Sequence, residues 1–179
     1  MSSKPTQDEL AVLAICRKFL DGIKNRHPEA MHSVILPNGH GTLIRPPIQE
    51  STTPQVLQLT LTEVVDRIPF SHPQDIEETI ALATWEDGEY GDRYEGRRIE
   101  IGVDYDLTVA WTPYEVRIGG KVSHVGTNIF NLIKRVNGER KGQWVITGVA
   151  ERTRQPGMNG EKVVNGVARL LLEARLLIW

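Results

Sequence analysis

The stretch TPYEVRIGGKVSHVGTNIFNLIKRV, residues 112–136, decides the fold of this chain. Two runs rich in β-branched and aromatic residues flank Gly119-Gly120, the pattern of two antiparallel strands joined by a tight turn. Strand residues of equal parity share a face. Val122, His124, Gly126, Asn128, Phe130 and Leu132 therefore line one side unless a bulge intervenes, and Phe130 and Leu132 mark that side as covered. The opposite set, Ser123, Val125, Thr127, Ile129, Asn131 and Ile133, is too apolar for a comfortably solvated face. It predicts a homodimer through the back of the sheet.

Outward from the hairpin, RIEIGVDYDLTVAWTPYEV (98–116) and QWVITGVAERT (143–153) extend a β-meander, with NGERKG as a further turn. Asp104 and Asp106, two apart, share one strand face on this reading, and Pro113 marks a bulge or an edge. TQDELAVLAICRKFLDGIKN (6–25) is an amphipathic helix opened by a Thr6/Glu9 capping box. Pro28 sits near the start of a short turn, and SVILPNGHGTLIRPP (33–47) suggests a strand, a turn at Asn38-Gly39 and a second extended piece. TLTEVVDRIPF (60–70) is a short helix with a second capping box, Thr60/Glu63. Residues 71–97, charged and glycine-containing, read as a long insertion loop with a strand or helical turn at ETIALAT. EKVVNGVARLLLEARLLIW (161–179) has helical apolar spacing. The whole is an α+β chain: a domain over 1–155 and a C-terminal helical extension over 156–179.

The 179 residues suffice for one domain with a real core, and a net charge of −2 offers no basic field for nucleic acid. A single cysteine, Cys16, excludes an internal disulfide. His27, His32 and His72 show no metal-ligand spacing with Asp or Glu, and there is no glycine-rich phosphate loop, so no metal or cofactor is expected. The start of the chain carries no apolar signal region and no run is long enough to span a bilayer, which predicts a cytoplasmic protein without membrane contact.

The order of elements, with aromatic-x-Pro-Tyr at 111–114, a Gly-Lys turn, Ser-His-x-Gly at 123–126 and Gly-x-Trp-x-Ile at 142–146, resembles the nuclear transport factor 2-like superfamily. It looks most like the SnoaL-like or lumazine-binding-like subgroup over residues 7–155. The resemblance implies a cone-shaped curved antiparallel sheet with N-terminal helices on its concave face and a pocket for a small hydrophobic molecule. The activity it implies is that of a cofactor-independent cyclase, isomerase or dehydratase working by general acid–base catalysis on a polyketide- or terpenoid-like substrate. The alternative is a non-catalytic ligand-binding or dimerisation module.

Within such a pocket His124 is the candidate acid/base, since imidazole titrates near neutrality, and Asn128 would orient a ligand oxygen. A pair of carboxyls can share a proton, which makes Asp104 a second catalytic candidate. Ketosteroid isomerase, a member of that superfamily, implies an oxyanion-orienting role for Tyr114. Trp111, Phe130, Trp144 and His40 complete the substrate-binding set. Against each stands a structural reading, a histidine tied by a hydrogen bond or an aromatic ring in the core.

Overall fold

The computed structural model describes residues 5–47, 53–80, 99–138 and 141–154. The expected C-terminal helix lies outside the described residues. Helix α1 (Gln7–Lys24) begins at the expected capping box: Thr6 N–H donates to Glu9 Oε2 (2.6 Å) and Glu9 N–H to Thr6 Oγ1 (3.2 Å). These bonds satisfy two backbone donors that the first turn leaves without partners. Val12, Leu13, Cys16, Phe19, Leu20 and Ile23 form its buried stripe. Helix α2 (Pro28–His32) starts on its proline, and helix α3 (Leu61–Asp66) repeats the capping box with Thr60 and Glu63.

Among the described residues seven strands form one sheet. They are β1 (Ile35–Arg45), β2 (Gln55–Thr60), β3 (Ile76–Ile80), β4 (Glu100–Asp104), β5 (Leu107–Ile118), β6 (Lys121–Lys134) and β7 (Trp144–Arg154). Their order is β2-β1-β7-β6-β5-β3, with β4 also on β5, and every pairing is antiparallel except β1 with β7. The β5–β6 hairpin turns on Gly119 and Gly120, both at positive φ, the conformation a two-residue type I′ loop requires.

Four local expectations change. Asn38-Gly39 is not a turn: β1 runs through it, and the pairing with β7 shifts register between Ile35 and His40. A Cβ on Gly39 would meet Thr147 O at 2.4 Å, so this glycine permits close backbone approach rather than reversal. The run 98–116 is two strands, not one, reversing at Tyr105-Asp106. The strand or helical turn expected at ETIALAT is strand β3, which starts two residues earlier, at Ile76. Finally, a bulge lets Arg117 pair Val122 while Val116 pairs His124, which moves Val122 off the covered face.

Strands β3 and β4 lie end to end along one edge of β5. Ile80 pairs Tyr114 and Glu100 pairs Trp111, so the edge changes partner across Thr112-Pro113. Pro113, which has no N–H to give a ladder, sits at that change. Two bulges, at Val116/Arg117 and at Asn131/Leu132, interrupt the β5–β6–β7 ladders, and bulges raise local twist and bend a sheet. Helix α1 packs on the concave side, with Phe19 edge-to-face on Phe130 at 6.0 Å. Burial pushes the Cys16 thiol up to about 12, so it is an inert core residue.

Candidate functional site

The concave face has two chemically different ends. Towards α1 it is apolar: Phe130, Leu132, Trp144, Ile146 and Val149 join the helix stripe in one core. Towards the β5–β6 turn it is polar, because alternation along four strands delivers Glu78, Tyr114, Thr112, His124, Asn128, Glu151 and Thr153 to the same side.

Rungs of the ladder fix who meets whom. Tyr114 pairs Gly126, and Gly126 pairs Thr153. With no side chain at 126, the Tyr114 ring crosses β6, and its hydroxyl donates to Glu151 Oε1 (2.5 Å) and lies 3.1 Å from Thr153 Oγ1. A Cβ at Gly126 would stand 2.5 Å from that hydroxyl and 2.3 Å from Arg152 O. Arg45, at the end of β1, forks onto Glu151 through Nη1 (2.6 Å) and Nη2 (3.1 Å) and also donates to Thr153 Oγ1. The Thr153 hydroxyl bonds Glu151 Oε1 at 2.9 Å.

On the next strands, Asn128 pairs Thr112 on one side and Glu151 on the other. Its Nδ2 donates across β5 to Glu78 Oε1 at 2.6 Å. Glu78, Val116 and His124 share a rung. His124 is buried, its Nδ1 3.2 Å from Ser123 Oγ and its ring perpendicular to Tyr114 at 6.1 Å.

These contacts divide the two carboxyls electrostatically. Burial works against charge on Glu151, but the Arg45 guanidinium and the Tyr114 and Thr153 hydroxyls outweigh it and hold its carboxyl below the usual range. Burial, and then the charge on Glu151, push Glu78 up to about 8, against the Asn128 hydrogen bond and Arg45. Burial, followed by the charges of Glu151 and Glu78, raises the Tyr114 phenol well above its ordinary value. The two carboxyls are thus pushed in opposite directions, Glu151 towards its carboxylate and Glu78 towards its acid form.

Of the residues singled out from sequence, His124, Asn128, Tyr114 and Phe130 come together on the covered face. Tyr114 needs a different role from the oxyanion donor, because its one O–H proton is committed to Glu151. Phe130 is fully buried against Phe19 and faces the core, not a ligand. Trp144 is likewise core, at the far end of the sheet, with its indole N–H 3.3 Å from Asp8 Oδ1. Trp111 is on the opposite face, 41% exposed, by the alternation that puts Ala110 and Thr112 inside. Asp104 and Asp106 are exposed at the β4–β5 reversal, and His40 is exposed in β1, so none of these three reaches the cluster. Glu78, Glu151, Arg45 and Thr153 were passed over in sequence. No group of three or more His, Cys, Asp or Glu side chains capable of holding a metal occurs among the described residues. No described helix is long and apolar enough to cross a membrane.

No protein-family profile matches the chain, and no curated protein matches it by sequence. Solved structures match it by shape. A Mycobacterium tuberculosis protein of unknown function superposes with a TM-score of 0.57 at 16% identity, covering 96% of each chain. An NTF2-like protein from Shewanella baltica gives 0.53 at 14% identity, over 86% of this chain and 98% of that one. A protein from Novosphingobium aromaticivorans, described as a candidate beta subunit of an aromatic-ring-hydroxylating dioxygenase, gives 0.55 at 11% identity, over 83% and 90%. The chain has the nuclear transport factor 2-like fold, a curved open sheet with helices on its concave side.

Proposed function

We propose that this chain binds a small hydrophobic molecule on the concave face of its sheet and performs general acid–base chemistry on it, as a cyclase, isomerase or dehydratase of the SnoaL-like type. One observation carries the reading. Among the described residues the Glu78 carboxyl has a single hydrogen-bond partner, Asn128, whereas Glu151, Tyr114, Thr153 and Arg45 bond one another. Glu151 is buried and fully bonded, whereas Glu78 is half-buried and keeps hydrogen-bonding capacity to spare on the concave side. Glu78 is the proton-carrying group, Asn128 orients it, and His124 flanks them on the same face. Such chemistry needs no metal or nucleotide. The reading includes a cytoplasmic homodimer that buries the back of the sheet, where Leu107, Val109, Trp111 and Ile133 are exposed side by side.

The test is native and denaturing mass spectrometry of the purified protein for retained small molecules, repeated with Glu78→Gln and Asn128→Leu. A compound held by the wild type and lost from folded Asn128→Leu supports the reading. An empty wild-type protein, with both variants as stable as the parent, favours the non-catalytic module.

A further inference from the structure

Helices α1, α2 and α3 all join the concave core, through residues such as Phe19, Met31 and Val65. The back of the sheet keeps an apolar strip, with Leu107, Val109 and Trp111 on β5 and Ile133 on β6 all exposed. Four side chains near half exposure present on the order of a few hundred Å². A stable interface takes roughly 800 Å² from each partner, so the strip is short of what a dimer needs. It ends in a groove of about 400 Å³ whose apolar wall is Leu36, Leu107, Ile133 and Val136. Towards the β5–β6 turn the same face is buried at Pro113, Glu115 and Thr127. A face buried at one end and open at the other, along one pair of strands, has the outline of an elongated apolar partner.

The chain itself supplies such a partner. Strand β7 ends at Arg154, which pairs Val125 at the turn end of the sheet. Residues 155–160, QPGMNG, are turn formers that let a chain reverse. Residues 161–179 then repeat apolar side chains at helical spacing, among them Val163, Val167, Leu170, Leu171, Ala174 and Ile178. As a helix they would run roughly 28 Å, and β6 rises roughly 26 Å from Val125 to Ile133. Arg175 stands at one edge of that stripe, and exposed Glu100 and Asp104 flank the strip on β4. From Leu170 onward the only charged residues are Glu173 and Arg175, so the segment is apolar on more than one side.

We propose that residues 161–179 lie as a helix along the back of their own sheet, from the row of Val125 to the groove beside Leu107. The short connection holds segment and strip at a local concentration that a free partner does not reach. The docking stands independently of the acid–base chemistry. It also gives the homodimer proposed above the area that the strip lacks, because the outer side of the segment then faces the second copy.

The experiment is disulfide trapping in the full chain, where Cys16 is buried and unreactive. Val109→Cys is combined in turn with Leu170→Cys, Leu171→Cys and Ala174→Cys on the stripe, and with Arg169→Cys on the opposite side as a control. A disulfide needs Cβ atoms that are close and facing, so at least one stripe pair is expected to close about tenfold faster than the control under mild oxidation. The product is expected to run as a single chain on a non-reducing gel. If Val109→Cys does not fold, Ile133→Cys on the neighbouring strand serves. Equal rates for stripe and control pairs, or no closure at all, overturn the proposal. A product of two linked chains overturns it as well and assigns the strip to the segment of a second copy. An intramolecular disulfide in a protein that light scattering places at 20.1 kDa counts against the homodimer and leaves the docking standing.

Discussion

At the scale of single residues, Gly126 and Tyr114 form one unit: the absent side chain on β6 is the space through which the phenol reaches β7. Gly126→Ala is expected to lower stability by about 1–3 kcal/mol in urea unfolding, the usual range for overpacking a tight site. Tyr114→Phe removes a donor from a buried carboxylate and is expected to cost about 1–3 kcal/mol. It also acts on the acid limb of stability. Glu151 has its folded pKa depressed, so it contributes stability above its ordinary value that is lost as pH falls through the folded value. With one donor gone that loss begins at higher pH, measurable as an upward shift of the acid-unfolding midpoint. The two glutamates were legible in principle. Ile76, Glu78 and Ile80 share one parity, as do Val149, Glu151 and Thr153. A charge on the core parity of a strand signals a buried polar site. What the sequence lacks is the partner: Arg45 and Glu151 are brought together only by the parallel β1–β7 pairing.

At the scale of elements, patterns with local causes were readable. The capping boxes of α1 and α3, the Gly119-Gly120 turn and the alternation in β6 each depend on neighbouring residues. The failures have non-local causes. Gly39 resembles a turn glycine because a close approach to β7 demands the same small residue. The β4–β5 reversal uses Tyr105 at φ 52, where Asn or Gly is the usual occupant, so nothing in the sequence announced it. Trp111 was misassigned with the pocket, and its true place makes a test of the sheet's back. Leu107 pairs Ile133 and Trp111 pairs Ile129, giving a contiguous apolar strip. Light scattering is expected to give twice the chain's 20.1 kDa, and Trp111→Asp to shift the mass towards one chain without loss of circular dichroism.

At the scale of the whole molecule, one proton on one carboxyl contributes to how stability responds to pH between 4.5 and about 8. Glu78 is raised from 4.5 to about 8 by folding. Its contribution is fully present below pH 4.5 and is lost as pH rises through 8, because the folded state binds the proton more tightly than the unfolded chain. Each pH unit in that window costs up to about 1.4 kcal/mol, the linkage limit for a single proton. Glu78→Gln, neutral throughout, is expected to flatten that limb, so thermal melts at pH 6 and pH 9 would differ less than in wild type. The overall fold was legible because its meander is local in sequence. The division of the concave face into an apolar and a polar end was not, since it depends on which rungs α1 covers.

The end-to-end placement of β3 and β4 has a consequence for chain engineering. Ile80 stands opposite Tyr114, and counting back from Glu100 opposite Trp111 puts Ile99 opposite Thr112. A single residue, facing Pro113, would close the gap between Ile80 and Ile99. It would also preserve the alternation that keeps Ile80, Ile99 and Ile101 on the core side. Ile80 and Ile99 thus stand one rung short of a continuous edge strand, which makes the seam between them a place to exchange chain. A shortened chain carrying one threonine there is expected to fold with the same register, seen as unchanged cross-strand contacts between β5 and β6 by NMR. Segments of other lengths and compositions could then be exchanged at that seam beside the polar end of the sheet.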